Sequence, residues 1–78
     1  MYILRDIPIG KTLRALRLAK KWTQPYVVIK VQLLGSKMSL STYGKIECGA
    51  GNIKASDLVI LKKVFETSYE VLFGEESL

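Results

Sequence analysis

The sequence contains no histidine and only one cysteine, Cys48, among its 78 residues. Cysteine and histidine are the ligands from which most zinc sites are built, so the usual zinc-binding spacings are excluded, as is a framework of disulfide bonds. Histidine is also the side chain most often used to move protons in catalysis. The chain has neither paired carboxylates nor a glycine motif that cradles phosphate. We therefore predict that the protein is not an enzyme and holds no metal or cofactor.

Long hydrophobic runs are also missing. No apolar stretch approaches the roughly 20 residues that span a bilayer. The first ten residues, MYILRDIPIG, are interrupted by Arg5, Asp6 and Pro8 and therefore lack the apolar core of a signal peptide. With a single thiol, these features predict a soluble protein of the cytoplasm that does not interact with a membrane.

Acidic residues are scarce in the first part of the chain. Residues 1–45 contain nine lysines and arginines against Asp6 alone, a net charge of +8, whereas residues 46–78 carry a net charge of −3. Such an asymmetry favours an anionic partner for the basic part, most often a nucleic acid. A basic face that is merely solvated is the alternative.

The spacing of apolar residues predicts an all-α fold of five short helices in one domain. Ile9, Leu13 and Leu16 repeat every three to four positions and continue to Ala19, as in an amphipathic helix near residues 8–21. Hydroxyl residues that can cap helix starts, and glycines that can end helices, predict the remaining elements. These are expected from Thr23 to Gly35, from Ser39 to just before Gly49, near residues 55–66 and from Ser68 to Gly74, with residues 1–8 as an extension, 9–73 as the helical core and 74–78 as a tail.

The stretch SLSTYGKIECG, residues 39–49, places three hydroxyl side chains at the start of the third helix. Tyr43 and Ile46 are three positions apart and can face the core, which leaves the residues around them exposed. Small polar groups at a helix start leave room for close approach, and the free N–H groups there attract phosphate. This arrangement is typical of a helix that enters the major groove of DNA.

Over residues 9–73 the sequence resembles the lambda-repressor-like, or Cro and XRE-type, helix-turn-helix domain. Members of this family are bacterial and phage transcriptional regulators that usually bind operators as dimers. The resemblance implies a helix-turn-helix fold with residues 39–48 as the recognition helix, in a bacterial or phage-encoded protein located at the nucleoid. The segments that carry it are IGKTLRALRLAKKWTQ (9–24), SLSTYGKIECG (39–49), NIKASDLVILKKVF (52–65) and SYEVLF (68–73).

The resemblance also implies roles for individual residues. Gln24 matches a glutamine that contacts phosphate and supports the recognition helix. Arg17 and Glu47 match an ion pair between the first and third helices, with Arg17 expected off the apolar stripe. A partner for Glu47 is also expected because it is the sole acid in a basic neighbourhood. The positions expected to contact DNA are Gln24, Lys37, Ser39, Leu40, Ser41, Thr42, Lys45, Asn52 and Lys54.

The chain departs from the family in several places. The segment LLGSKM (33–38) lengthens the turn between the second and third helices, so that either the second helix gains a turn or residues 36–38 form a projecting loop. Lys37 reaches phosphate only if that loop points toward the duplex. Leu40 stands where relatives often carry arginine, which removes a guanine-reading side chain. Gly44 replaces a serine or alanine and costs about 1 kcal/mol of helix propensity.

Together these observations predict a transcriptional regulator, acting as a repressor, that binds double-stranded operator DNA. Leu72 and Phe73 on the fifth helix, with Tyr2, Ile3 and Leu4 at the start of the chain, predict a homodimer formed through these segments. Two alternatives stay open: an antitoxin that also binds a toxin protein, and a helix-turn-helix domain retained only for protein–protein contacts. Salt-dependent binding to duplex DNA separates the last alternative from the regulator.

Overall fold

The computed structural model describes residues 9–50 and 52–74, and this part of the chain contains five α-helices. The prediction of an all-helical fold with five short helices is confirmed. α1 and α2 both pack against α3, and none of the described helices is long and apolar enough to cross a membrane. The helices are α1 (Ile9–Ala19), α2 (Gln24–Leu33), α3 (Leu40–Glu47), α4 (Ala55–Phe65) and α5 (Tyr69–Leu72).

Three helices begin directly after the hydroxyl residues that were predicted to cap them. The side-chain oxygens of Thr23, Ser39 and Ser68 each accept a hydrogen bond from the backbone N–H three residues later, at 3.1–3.2 Å. Each bond satisfies one of the N–H groups that a helix start leaves without a partner. Pro25 lies in the first turn of α2, where its missing N–H costs little. Local sequence therefore determines where α2, α3 and α5 begin.

The core is formed by apolar side chains from all five helices and the loops between them. Trp22 follows α1, and its partly buried ring packs at the edge of this core. The centroid of the Trp22 ring lies 5.6 Å from that of the Phe65 ring and 5.2 Å from that of the Tyr26 ring. α4 contributes Leu58, Leu61, Val64 and Phe65 to the core. The buried apolar residues are Ile9, Leu13, Val27, Val28, Val31, Met38, Tyr43, Ile46, Ile53, Leu58, Leu61, Val64, Phe65 and Leu72.

The buried face of α1 differs from the predicted stripe. Ile9, Leu13 and Arg17, spaced four positions apart, are the buried residues of this helix. Ala19 is exposed, and Leu16 is only partly buried. The prediction that Arg17 lies off the stripe is therefore wrong, because its charge is paired inside the protein.

α2 is apolar on two sides, and only one of them is buried. Val27, Val28 and Val31 lie in the core, whereas Ile29 is 55% exposed and Leu33 is 79% exposed. Because apolar residues occur on both sides of this helix, their spacing alone does not tell which side faces the core.

The lengthened turn between α2 and α3 is folded against the protein. α2 ends at Leu33, and Gly35 then adopts the left-handed conformation, with φ of 103°, that ends many helices. Ser36 and Met38 are buried, and the Ser36 hydroxyl accepts a hydrogen bond from the N–H of Met38 at 3.0 Å. Residues 36–38 therefore form no projecting loop, and of these three side chains only that of Lys37 is exposed.

α1 and α3 approach each other closely at Gly10. A Cβ atom at this position would overlap the carbonyl oxygen of Ile46 and lie 3.1 Å from that of Glu47. Glycine is therefore required here by a contact between two backbones. The sequence pattern gave no sign of this contact.

One of the two residues of the fifth helix that were predicted to form a dimer is not available to a partner. Leu72 is fully buried in the core of its own chain, and Phe73 is half-buried against that core. The prediction of Leu72 as an interface residue is wrong for this reason. Tyr2, Ile3 and Leu4, the other residues of that prediction, lie outside the described residues.

Candidate nucleic-acid interface

The first turns of α3 present short polar side chains to solvent, while the other side of the helix is buried. The buried residues Tyr43, Ile46 and Glu47 share one side because of their spacing. Leu40 is 45% exposed, so this apolar side chain is available to a partner. The exposed positions of this surface, which we call the α3 face, are Ser39, Leu40, Ser41, Thr42 and Lys45.

The hydroxyl groups of the α3 face are partly organised. Ser39 Oγ accepts a hydrogen bond from the N–H of Thr42 at 3.1 Å and donates one to Thr42 Oγ1 at 3.0 Å. The Thr42 hydroxyl can therefore still donate its own proton. The hydroxyl of Ser41 makes no hydrogen bond within the described residues. The α3 face thus offers both donors and acceptors close to the positive end of the helix dipole.

An ion pair between α1 and α3 fixes the carboxyl end of α3. Arg17 Nε donates to Glu47 Oε2 at 2.8 Å, and Arg17 Nη2 donates to Glu47 Oε1 at 3.0 Å. Arg17 Nη1 also donates to the carbonyl oxygen of Trp22 at 3.0 Å. The side chain of Glu47 is 2% exposed and that of Arg17 is 11% exposed, so the pair is almost completely withdrawn from water. One guanidinium group thus joins α1, the connection to α2, and α3.

The surroundings of this pair determine its charge. Burial opposes ionisation of Glu47, but the hydrogen bonds from Arg17, together with the nearby Tyr43 hydroxyl and the bond from Gln24, outweigh burial and lower the pKa of Glu47. The hydrogen bond to Glu47 likewise outweighs desolvation and raises the pKa of Arg17. Burial and the neighbouring Glu47 carboxylate raise the pKa of Tyr43, whose hydroxyl is buried without a well-aligned hydrogen bond in the described part of the chain. The pair is therefore charged at neutral pH beside a neutral phenol.

Gln24 connects the start of α2 to the same ion pair. Its Nε2 donates to Glu47 Oε1 at 3.0 Å, and the side chain is partly buried. A Cβ atom built at Gly44 would lie 3.5 Å from Gln24 Oε1, which is an ordinary contact distance. Gln24 thus supports α3 from inside the protein. The phosphate contact predicted for it stays a prediction.

Two lysines from other parts of the chain lie beside the α3 face. Lys37 and Lys54 line one groove together with Thr42, between α3 and the start of α4. Asp57 also lines this groove, and its Oδ1 accepts a hydrogen bond from the buried Ser36 hydroxyl at 2.9 Å. We call these groove residues, Lys37, Thr42 and Lys54, the lysine groove. It places two cations where a phosphate backbone could run past the start of α3.

The remaining predicted contact residues lie outside the lysine groove. Lys45 is exposed on α3 itself, three positions after Thr42, and adds a further cation to the same helix. Asn52 is exposed in the connection between α3 and α4 but does not line the groove. The structure therefore brings Lys37, Thr42 and Lys54 together and leaves Asn52 apart from them.

Sequence reasoning missed the contact that forms the lysine groove. The bond between Ser36 and Asp57 holds the lengthened turn against α4 and joins residues 21 positions apart. The only local signal is a small hydroxyl residue that follows Gly35 within an apolar and basic segment. A side-chain pair across two helices cannot be found from periodicity within either helix.

No protein-family model, curated protein or solved structure matches this chain.

Proposed function

We propose that this protein is a sequence-specific double-stranded DNA-binding regulator that acts as a repressor. The observation that supports this most is the α3 face. It exposes three hydroxyl residues at the start of α3 and Lys45 in the last turn, and the carboxyl end of the helix is fixed by the buried Arg17–Glu47 pair. A helix that is exposed at its start and fixed at its end is suited to enter the major groove.

The lambda-repressor-like helix-turn-helix fold is part of this proposal. Five helices of the expected order support it, as does the packing of both α1 and α2 against α3. The ion pair that the resemblance implies between Arg17 and Glu47 is present in the geometry described above. In this proposal α2 lies across the groove and α3 lies within it.

The two kinds of contact in the proposed complex have different roles. Lys37, Lys45 and Lys54 neutralise phosphates, which gives affinity that does not depend on base sequence. The hydroxyl groups of Ser41 and Thr42 reach base edges, where they accept or donate hydrogen bonds. Without an arginine on the α3 face, specificity comes from these hydroxyls and from apolar contact of the half-exposed Leu40 with a thymine methyl group.

Repression in this proposal works by occlusion. A protein bound over a promoter excludes RNA polymerase without any catalytic step. We propose further that the protein binds as a homodimer, which places two α3 helices about 34 Å apart on a pseudo-palindromic operator.

Selection of bound sequences from a random duplex pool tests the proposal directly. On the selected site, we expect Ser41→Ala combined with Thr42→Ala to weaken specific binding while binding to unrelated DNA is unchanged. Thermal unfolding of the double variant checks that α3 is intact, because the bond from Ser39 to Thr42 is lost. Unchanged operator affinity of the double variant would contradict the assignment of base contacts.

A charge variant tests the phosphate contacts separately. Lys45→Ala should weaken binding to all duplexes and reduce the dependence of affinity on salt, by about one unit in the log–log slope. Lys11→Ala is the matched control, because Lys11 is exposed on α1 and is not part of the α3 face. We expect this control to bind nearly as the wild type does. Equal effects of the two variants would refute the placement of DNA on the α3 face.

The second candidate function is binding to another protein, either as an antitoxin that binds a toxin or as a domain kept for protein contacts. The exposed apolar residues of α2, Ile29 and Leu33, favour it, because such side chains are unusual on a surface that contacts only solvent. Affinity for duplex DNA that stays flat across salt would favour the domain kept for protein contacts. Co-purification with a small toxic protein would favour the antitoxin.

A further inference from the structure

The outer side of α2 carries apolar side chains that the core does not use. Tyr26 is 44% exposed, Ile29 is 55% exposed and Leu33 is 79% exposed. Their spacing of three and four positions places them along one side of the helix. Leu34, directly after the helix, is 52% exposed. We call these four residues the α2 face.

The α2 face concentrates most of the exposed apolar surface in the described part of the chain. Large apolar side chains that are exposed outside it are Leu18 on α1, Leu40 on the α3 face and Val59 on α4. A helix that is apolar on both sides is normally covered on both. The inner side of α2 is covered by its own chain, so the outer side is the side that an interaction would cover.

A groove lies next to the α2 face, between α2 and α4. Leu33, Leu34 and Val64 line it, and charged side chains surround them. Leu33 is at once the most exposed apolar side chain of the α2 face and a wall of this groove. A projection and a recess therefore lie side by side on one surface. Two copies related by a two-fold axis can each place the projection in the recess of the other.

The charges around the groove favour the same occupant. Lys30, Lys63 and Glu66 line it. The ammonium group of Lys30 is already engaged, since Nζ lies 5.0 Å from the centroid of the Trp22 ring and 5.3 Å from that of the Tyr26 ring. Lys30 keeps its charge in this contact, and the exposed Lys63 and Glu66 add one charge of each sign at the rim.

We propose that the α2 face and this groove form the interface between two copies of this chain. A two-fold axis brings Lys63 of each copy toward Glu66 of the other, so the rim is complementary to itself. An acidic peptide would instead meet a like charge at Glu66. This interface replaces the predicted one, in which Leu72 was expected to take part. The proposed α2 interface does not depend on DNA binding. Because α2 packs against α3, this interface would also set the relative position of the two α3 helices in the dimer.

Sedimentation of the full chain without DNA tests the proposal. The wild-type protein should sediment as a dimer, and Leu33→Glu should raise the dissociation constant of the dimer at least tenfold, as ~1.4 kcal/mol or more is expected for a central interface residue. The thermal unfolding of monomeric Leu33→Glu should match that of a monomeric wild-type sample at high dilution, because Leu33 is 79% exposed and outside the core. Leu18→Glu is the matched control, because Leu18 is 49% exposed on α1, and it should remain dimeric.

A charge exchange tests the two-fold arrangement. Lys63→Glu and Glu66→Lys should each weaken the dimer, and the double variant should restore it. A wild-type chain that is monomeric at every concentration would overturn the proposal. So would a Leu33→Glu variant that dimerises as the wild type does, or a monomeric wild type that binds an acidic helical peptide through Leu33. A dimer that binds no DNA would uphold this interface and contradict only the proposed regulator.

Discussion

The same substitution, glycine to alanine, is expected to have opposite effects at two positions of this protein. Gly44 lies inside α3, and of the described residues outside this helix, a Cβ atom there would meet only Gln24, whose Oε1 lies 3.5 Å away. Alanine in a helix interior is about 1 kcal/mol more favourable than glycine. For a domain of 60–100 residues, ~1 kcal/mol corresponds to a rise in Tm of roughly 4–8 °C. We therefore expect Gly44→Ala to raise Tm by about this amount.

Gly10→Ala should destabilise the fold, although alanine also favours the α1 helix. The new methyl group would overlap the Ile46 carbonyl oxygen, which is part of the backbone of α3 and cannot rotate away. Added volume in a packed contact typically costs about 1–3 kcal/mol. The whole of α1 would have to shift away from α3, so we place the effect at the upper end of this range. It is a large share of the ~5–15 kcal/mol that holds a typical protein together.

Thermal unfolding followed by circular dichroism, with urea unfolding as a second measurement, checks both variants. Gly44→Ala also serves as a control for function, since it leaves the side chains of the α3 face in place and should keep the DNA affinity of the wild type. If Gly10→Ala proved as stable as the wild type, the close contact between α1 and α3 would be refuted. A loss of stability in Gly44→Ala would refute the open space at that position.

Further predictions concern the buried ion pair and the lengthened turn. Glu47→Ala should lower the free energy of unfolding, measured in urea, by about 3–5 kcal/mol, because it leaves the Arg17 charge buried and unpaired. The double variant Arg17→Met with Glu47→Leu should lower it clearly less. Equal losses would argue against a buried pair. The pKa of Glu47 in the folded protein lies below its ordinary value of 4.5, so the stability that its charge contributes is present above pH 4.5 and is lost as the pH falls through the folded pKa. Glu47→Gln should therefore make the free energy of unfolding less dependent on acid pH. Ser36→Ala should lower the free energy of unfolding by about 1–3 kcal/mol, because the N–H of Met38 and the carboxylate of Asp57 each lose a hydrogen bond. An unchanged stability would mean that these bonds do not hold the turn.

The parts of the fold that depend on local chemistry could be predicted from the sequence. Capping at Thr23, Ser39 and Ser68 requires only a hydroxyl group and the N–H three residues later, so the sequence contains all the information. The burial of Tyr43 and Ile46 follows from their spacing on a helix with polar neighbours. For these reasons the exposed residues of the α3 face could be named before the structure was known.

The parts that depend on contacts between distant segments could not be predicted in this way. α2 is apolar on both sides, and only its packing against α3 and α4 decides that Val28 is buried and Ile29 exposed. The buried position of Arg17 requires Glu47 to lie opposite, 30 residues later, a pairing that only the resemblance suggested. The close approach at Gly10 and the bond from Ser36 to Asp57 likewise join segments whose relative position no local pattern encodes.

The position of Trp22 has a consequence for how the molecule can be observed. It is the single tryptophan of the chain, its carbonyl oxygen accepts a bond from Arg17, and its ring packs near Phe65 of α4. Lys20 and Lys30 place ammonium groups 5.1 and 5.0 Å from the ring centroid. Separation of these elements would expose the indole to water, so its fluorescence emission would move to longer wavelength as the fold opens. Trp22 is thus an internal fluorescent probe at the junction of α1, α2 and α4. Its ring also contacts Tyr26 of the α2 face.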